Sequence, residues 1–160
     1  MSLFQRIKPY AVDILIPLAV GGLSALLSGG GMDFYNTITQ PPFAPPALLF
    51  PIVWSLLYIL MGVSSVLVYK RRARDPLAAR DGLVLYGASL AVNFFYSIFL
   101  FRARLFLFST LWILLLLGLI ALYVWKYARV YRPAALLQIP YLLWTLFATY
   151  LTLAIYLLNK

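Results

Sequence analysis

Long apolar runs separated by short polar or basic connections dominate the chain. An α-helix rises about 1.5 Å per residue, so roughly 20 apolar residues span the hydrocarbon core of a bilayer. Each run is therefore predicted to be a transmembrane helix, and the predicted fold class is all-α, an integral membrane bundle of five helices. The five runs without a charged side chain are Ile14–Met32, Ala47–Tyr69, Gly82–Phe101, Leu105–Trp125 and Pro133–Asn159.

The composition agrees with a membrane protein. Apolar residues make up 64% of the chain and charged residues 11%, whereas about a quarter of the residues in a soluble domain are charged. This excludes a water-soluble core. The longest connection is Asp33–Pro46, so residues 1–160 are predicted to form a single membrane domain. The first run is too long for the apolar region of a signal peptide and is expected to stay in the membrane.

Cysteine and histidine are both absent from the chain. Their absence excludes disulfides, thiolate chemistry, the usual zinc ligands and the usual axial ligands of haem iron. We therefore expect no metal site and no cofactor, and a bound ligand would be held by aromatic packing and hydrogen bonds.

The net charge of +9 reflects membrane topology, and no nucleic-acid partner is expected. The positive-inside rule places the N-terminus and the second and fourth connections in the cytoplasm, which fits a bacterial cytoplasmic membrane. The remaining basic residues, Arg102, Arg104 and Lys160, fall on the other side. The ten on the cytoplasmic side are Arg6, Lys8, Lys70, Arg71, Arg72, Arg74, Arg80, Lys126, Arg129 and Arg132.

The first connection is rich in proline. Pro41 and Pro42 precede Phe43, and Pro45 and Pro46 follow it. Proline fixes φ and removes a backbone donor, so this segment is predicted to be stiff. It fits a lid over the bundle, and a proline-rich turn with interfacial aromatic residues is the equally weighted alternative.

Polar and small residues recur every three or four positions in four of the five runs, which places them on one helix face. Polar side chains in lipid turn toward the bundle, so runs one, two, three and five are predicted to converge. The leucine-rich fourth run is predicted to lie at the periphery. Ordinary helix packing is the alternative explanation for these stripes. Pro17, Pro51 and Pro140 are each predicted to kink a helix.

Asn93 is predicted to lie at mid-membrane depth, where an amide must be hydrogen-bonded. A cavity for a large planar apolar ligand would suit such a polar anchor among aromatic rings. Gly87 and Ala91 form a small-xxx-small pair that suits either an internal contact or a dimer interface. The rings predicted to line the cavity with Asn93 are Trp54, Tyr58, Tyr96, Tyr141 and Trp144.

Three blocks of the sequence resemble the TspO/MBR family of translocator proteins, also called peripheral-type benzodiazepine receptors. Pro41–Pro46 with Val53–Gly62 resembles its first-loop and second-helix signature, Ala91–Ser97 its third-helix block, and Pro140–Leu151 its fifth-helix signature. The resemblance implies a five-helix bundle, usually dimeric, with a pocket that opens toward the first loop and accepts porphyrins. Carried over by motif, the pocket residues would be Tyr35, Trp54, Tyr58, Asn93, Trp144, Phe147 and Ala148.

The leading hypothesis is a membrane receptor or sensor that binds porphyrins and other apolar ligands. One alternative is an enzyme that degrades porphyrin photo-oxidatively, with Trp54 and Trp144 as candidate catalytic residues. Another is a transporter of tetrapyrroles or sterols. The expected partners are a porphyrin-type ligand, membrane lipid and a second copy of the chain, with Gly87 and Ala91 at the contact. The ligand-binding candidates are Tyr35, Phe43, Pro45, Pro46, Trp54, Tyr58, Asn93, Tyr96, Tyr141, Trp144, Phe147 and Ala148.

Overall fold

The computed structural model describes residues 3–160 and is built from α-helices. Five helices are long and apolar enough to cross a membrane, which confirms the predicted fold class. A π-helical turn, Ile98–Arg102, continues the third of them. The helices are α1 (Leu3–Leu27), α2 (Gly31–Thr37), α3 (Leu49–Lys70), α4 (Pro76–Ser97), α5 (Phe106–Val130), α6 (Arg132–Leu136) and α7 (Ile139–Leu158).

The long helices form a ring in which α1 packs against α3 and α4, α4 against α5, and α5 against α7. We call residues 28–48 the cap segment, and the end of the bundle that carries it the cap end. The basic end is the opposite end, which carries residues 70–75 and 131–138. At the basic end, α6 contacts α3 and closes the ring.

The fourth apolar run does not lie at the periphery, so that prediction is wrong. It forms α5, which packs between α4 and α7, and its Ile113, Leu116 and Ile120 side chains have no exposed surface. Leucine-rich helices pack through shape and dispersion contacts, which a search for polar stripes does not detect.

The crossing of α1 and α3 depends on Gly62. A Cβ atom on this glycine would lie 2.5 Å from the backbone oxygen of Asp13 and 2.5 Å from the Cα of Ile14. Pro17, four residues after Asp13, has no N–H to donate to that oxygen. A proline and a glycine on opposite helices thus permit close backbone contact, and this joins α1 to α3 near the basic end.

A polar bridge at the basic end connects three helices. Gln138, between α6 and α7, is completely buried. Its Oε1 accepts from the Tyr123 hydroxyl of α5 at 2.7 Å, and its Nε2 donates to the Leu60 carbonyl of α3 at 3.2 Å. Tyr123 in turn packs against the rings of Tyr86 and Tyr127 at 5.8 and 5.2 Å between centroids. The basic end therefore has a dense aromatic core.

Two predicted kinks are absent because the prolines lie at helix starts. Pro51 is the third residue of α3, and Pro140 is the second residue of α7. Proline in a first turn sacrifices no helical hydrogen bond, because the N–H groups there have no partner within the helix. The fifth run is interrupted at Leu137–Gln138, just before Pro140, and this interruption divides it into α6 and α7.

Candidate functional site

A cavity of about 570 Å³ lies between the cap-end halves of α1, α3, α4 and α7, beneath the cap segment. Residues from runs one, two, three and five line it, and α5 contributes none, as the polar stripes predicted. Gly22, Ala25 and Ser55 are exposed at its opening between α1 and α3. The two helices that touch through Gly62 thus separate toward the cap end.

Tyr58 and Gly21 form the floor of the cavity. A Cβ on Gly21 would overlap the Tyr58 ring, so only glycine leaves room for this ring against α1. The Tyr58 hydroxyl accepts a hydrogen bond from Asn93 Nδ2 at 2.9 Å in a buried position. Asn93 therefore has the buried polar partner that its depth requires, and this bond ties α3 to α4.

Trp54 lies between the floor and the opening. It packs against the Tyr58 ring with 5.6 Å between centroids and edge-on against the Tyr141 ring at 6.0 Å. Trp54 lines the cavity, whereas Tyr141 is completely buried behind it. These rings present a rigid aromatic wall.

The opposite wall belongs to α4 and α7. The hydroxyls of Tyr96 and Thr152 lie 2.6 Å apart and share a buried hydrogen bond. Thr152 also donates to the Ala148 carbonyl at 2.7 Å, so the hydrogen in the shared bond comes from Tyr96. The wall therefore presents mainly aromatic and methyl surface, with its hydroxyls already paired.

Tyr35 anchors the cap segment over the cavity. Its side chain is 2% exposed, its hydroxyl donates to the Pro45 carbonyl at 3.0 Å, and its ring packs edge-on against Phe50 at 5.2 Å. Burial raises the pKa of the Tyr35 phenol above its ordinary value. The phenol therefore remains protonated and able to donate at neutral pH.

The cap segment is also bonded to the end of α7. The Asn159 side chain accepts from the Thr39 backbone N–H at 2.9 Å and donates to the Thr39 carbonyl at 3.0 Å. The Tyr150 hydroxyl donates to the Pro42 carbonyl at 3.0 Å. We call these three bonds the α7 clasp. They hold a segment whose four prolines leave it few backbone bonds of its own.

A second, shallower depression of about 400 Å³ lies outside the cavity, between α3 and α7. Trp144 and Phe147 line it together with leucine side chains. Phe50 packs against Trp144 at 6.0 Å between ring centroids and also lines the cavity. The Trp144 and Phe50 rings thus separate the two spaces, and the buried Trp144 Nε1 has no hydrogen-bond partner among the described residues.

The structure brings some of the predicted site residues to the cavity surface and leaves others behind it. Asn93 and Tyr141 form a second layer behind Tyr58 and Trp54. Pro45 is buried in the cap segment, whereas Phe43 is 88% exposed and Pro46 is exposed. Trp144 and Phe147 lie at the outer depression. The predicted residues that line the cavity are Tyr35, Trp54, Tyr58, Tyr96 and Ala148.

The candidate set contained no residue of α1, although this helix supplies much of the cavity wall. The small and polar residues spaced along the first run could have identified this wall, because Gly21, Ser24 and Ser28 all line the cavity. Ser24 donates to the Phe94 carbonyl at 2.6 Å and Ser28 to the Ser24 carbonyl at 2.7 Å. The hydroxyls are satisfied by backbone, so this wall acts mainly through its small size.

The cavity offers aromatic rings, hydroxyl groups and one carboxylate, that of Asp33. Within the described residues, no three metal-ligating side chains cluster. A ligand in such a cavity would be held by packing against the rings and by hydrogen bonds.

Comparison with known proteins places the chain among membrane proteins of one family. The model of the TspO/MBR family matches residues 13–158. The chain is 36% identical over 156 residues to the tryptophan-rich protein TspO of Chlorobaculum tepidum, covering 97% of this chain and 98% of that protein. It is 40% identical to the translocator protein homolog of Schizosaccharomyces pombe, and the match covers 91% of this chain and 88% of that protein. It is 33% identical to the translocator protein of Ovis aries, and the match covers 86% of this chain and 82% of that protein.

Proposed function

The chain belongs to the TspO/MBR family, and from that premise we propose that it is a receptor or sensor that binds porphyrins or similar flat tetrapyrroles beneath the cap segment. It is an integral multi-pass membrane protein. The observation that carries the proposal is the cavity of about 570 Å³. Small-molecule pockets typically measure about 300–1,000 Å³ and are mostly apolar, with a few placed polar groups.

The lining suits a broad, flat ring system. Trp54 and Tyr58 present aromatic surface on one side, and Ala148 and Leu151 present aliphatic surface on the other. Offset stacking on an indole adds about 0.5–1.5 kcal/mol beyond the burial of area. An opening between two membrane-spanning helices would admit ligands that already partition into lipid.

A titration with protoporphyrin IX tests the proposal, with tryptophan quenching and the porphyrin absorption band as readouts. The purified chain should show a saturable change. Gly22→Leu places a side chain at the opening, where a Cβ meets nothing within 4 Å, and should weaken binding at least tenfold. Gly118→Leu is the matched control, since Gly118 also faces open space but does not line the cavity. Equal binding by both variants, or no saturable change in the parent, contradicts the proposal.

The enzymatic alternative requires an indole that can contact the ligand. Trp54 lines the cavity, and Trp144 lies at the outer depression. If the chain degrades bound porphyrin under light, Trp54→Phe should slow the loss of porphyrin absorbance more than Trp144→Phe. Equal rates in both variants and the parent would exclude a role for either indole.

We also propose the predicted orientation, with the basic end in the cytoplasm of a bacterial cell. Arg71, Arg72 and Arg74 form the connection at the basic end, whereas Arg102 and Arg104 lie at the cap end. Arg6 was also predicted to lie on the cytoplasmic side, but its side chain is outside the part of the chain that the structure describes. Because the chain has no cysteine, Ala73→Cys and Ala103→Cys provide single reporters. An impermeant thiol reagent added to intact cells should label Ala103→Cys only.

A homodimer through α4 is the remaining proposal. Gly87 and Ala91 are exposed one turn apart, and no described atom lies within 4 Å of a Cβ on Gly87. Small residues at this spacing allow two helices to approach closely. Gly87→Leu should shift the purified protein toward the monomer in size-exclusion chromatography, whereas Gly118→Leu should not.

A further inference from the structure

The lining of the cavity carries a single negative charge, on an exposed residue of α2 at the cap end. Asp33, in the first turn of α2, lines the cavity beside Gly30 and Gly31. Among the lining residues that the structure describes, it is the sole carboxylate, and none is a lysine or arginine. The ion pairs formed by described residues, Lys126–Asp81 and Arg129–Asp75, both lie at the basic end. The Asp33 charge is therefore not neutralised by a partner within the described residues.

The two arginines at the cap end are engaged elsewhere. Arg102 Nη1 donates to the Leu27 carbonyl at 3.0 Å, at the end of α1. The Arg104 guanidinium lies over the Phe34 ring, 4.6 Å from its centroid. Phe34 stacks at 6.2 Å on Phe106 of α5, a helix that does not line the cavity. The Arg104 guanidinium is thus held on the α5 side of α2 and the Arg102 guanidinium at the end of α1, and neither arginine is among the lining residues.

The depth of the cavity dictates how an amphipathic ligand enters. The floor at Gly21 and Tyr58 has no cationic side chain to receive an ionised group. A flat ring system should therefore lie with its apolar edge toward this floor and any carboxylate at the cap end of the cavity, where Asp33 is exposed. Two like charges brought together at this exposed site repel, and salt screens the repulsion.

We propose that Asp33 makes the cavity select neutral tetrapyrroles, whose carboxyl groups are esterified or absent, over dianionic ones. This inference rests on the proposed function, because it assumes that a flat ring system occupies the cavity. It assigns to Asp33 the role of a specificity-determining residue. Removing the Asp33 charge should affect ligand binding and not folding, because the exposed Asp33 side chain forms no ion pair within the described residues.

Two probes of equal ring size test the proposal, protoporphyrin IX with two carboxylates and its neutral dimethyl ester. Each is titrated against the full chain in nanodiscs of uncharged lipid, with Asp33→Asn and Asp81→Asn as variants. Asp81→Asn removes the same charge at the basic end and controls for net charge. Asp33→Asn should strengthen diacid binding about tenfold, equivalent to about 1.4 kcal/mol. It should change ester binding less than twofold, and Asp81→Asn should change neither.

Salt provides a second readout that a structural role of Asp33 would not produce. Raising the ionic strength should improve diacid binding to the parent and leave the Asp33→Asn variant nearly unaffected, because salt screens the repulsion at an exposed site. An unchanged ratio of diacid to ester affinity in Asp33→Asn overturns charge selection while leaving the cavity as the binding site. Failure of both probes to bind any variant saturably overturns the proposed function itself.

Discussion

At the basic end of the bundle, Tyr123, Tyr127 and Gln138 have no exposed surface, whereas at the cap end α1, α3, α4 and α7 separate around a cavity of about 570 Å³. Glycine shows the difference most directly. A Cβ on Gly62 would lie 2.5 Å from backbone atoms of α1, but a Cβ on Gly22 would meet no described atom within 4 Å. The comparison teaches that glycine can permit close helix packing at one position and border open space at another.

The division also separates stability from binding. Helix contacts near the basic end join α1 to α3 and α3 to α6, and the buried Gln138 side chain links α5 to α3. The cap end depends on a segment held by Tyr35 and the α7 clasp. Regions with few buried contacts open more readily than packed cores, so a ligand site at the cap end is accessible without unfolding the bundle.

The largest effect is expected from Gly62→Leu at the α1–α3 crossing. The added side chain has no space against the Asp13 backbone oxygen, so the helices must separate. Overpacking that forces backbone shifts typically costs about 1–3 kcal/mol. The thermal unfolding midpoint in detergent should fall sharply, whereas Gly22→Leu at the cap end should leave it within a few degrees. Equal midpoints in the two variants would remove the distinction between the two ends.

The next effect is expected from Gln138→Leu. This change leaves the buried Tyr123 hydroxyl without its acceptor and the Leu60 carbonyl without its donor. The free energy of unfolding should fall by about 1–2 kcal/mol, because a buried polar group without a partner is costly but hydrogen bonds within membranes are modest in strength. Gln40→Leu is the matched control, because Gln40 Nε2 donates to the Tyr35 carbonyl at 3.1 Å in the cap segment. Unfolding measurements should show a lower stability for Gln138→Leu than for Gln40→Leu.

A change at Trp54 should affect binding more than stability. Trp54→Leu removes the indole that lines the cavity, and the loss of stacking should weaken porphyrin binding about tenfold, or about 1.4 kcal/mol. Trp144→Leu removes an indole at the outer depression and should weaken binding less than threefold. The porphyrin affinity of each variant is measured by titration, with the porphyrin absorption band as the readout. A larger effect of Trp144→Leu would place the ligand outside the cavity.

The smallest effect is expected from Asn159→Ala, which removes two hydrogen bonds of the α7 clasp. Exposed hydrogen bonds contribute about 0.5–1 kcal/mol each. Looser attachment of the cap segment should raise the porphyrin dissociation rate about threefold in a stopped-flow measurement, with the unfolding midpoint nearly unchanged. Asn36→Ala, at an exposed position of α2, is the control. No change in dissociation rate would show that the clasp does not limit ligand release.

Particular residues show where sequence reasoning succeeded. The polar stripes predicted that runs one, two, three and five converge, and residues from these runs line the cavity. Trp54, Tyr58 and Tyr96 were predicted to lie at a shared interior surface and all line it. Helical periodicity determines which side chains share a face, so these placements follow from spacing.

Other placements depended on packing between elements. Trp144 was predicted to line the cavity together with Tyr141, but its ring lies at the outer depression. The short α2 within the first connection and the break at Gln138 have no periodic signal in so few residues. The position of α5 between α4 and α7 depends on the shapes of leucine and isoleucine side chains.

The sequence by itself determined that this protein is a five-helix membrane bundle with a proline-rich connection, because transfer into lipid depends on the apolar length of each segment and on little else. Only the tertiary structure decided which small residues join helices and which border a cavity. The reason is physical, since a glycine permits close contact wherever a neighbouring backbone approaches it. Whether one does approach, as at Gly62 and not at Gly22, depends on the angles at which whole helices cross.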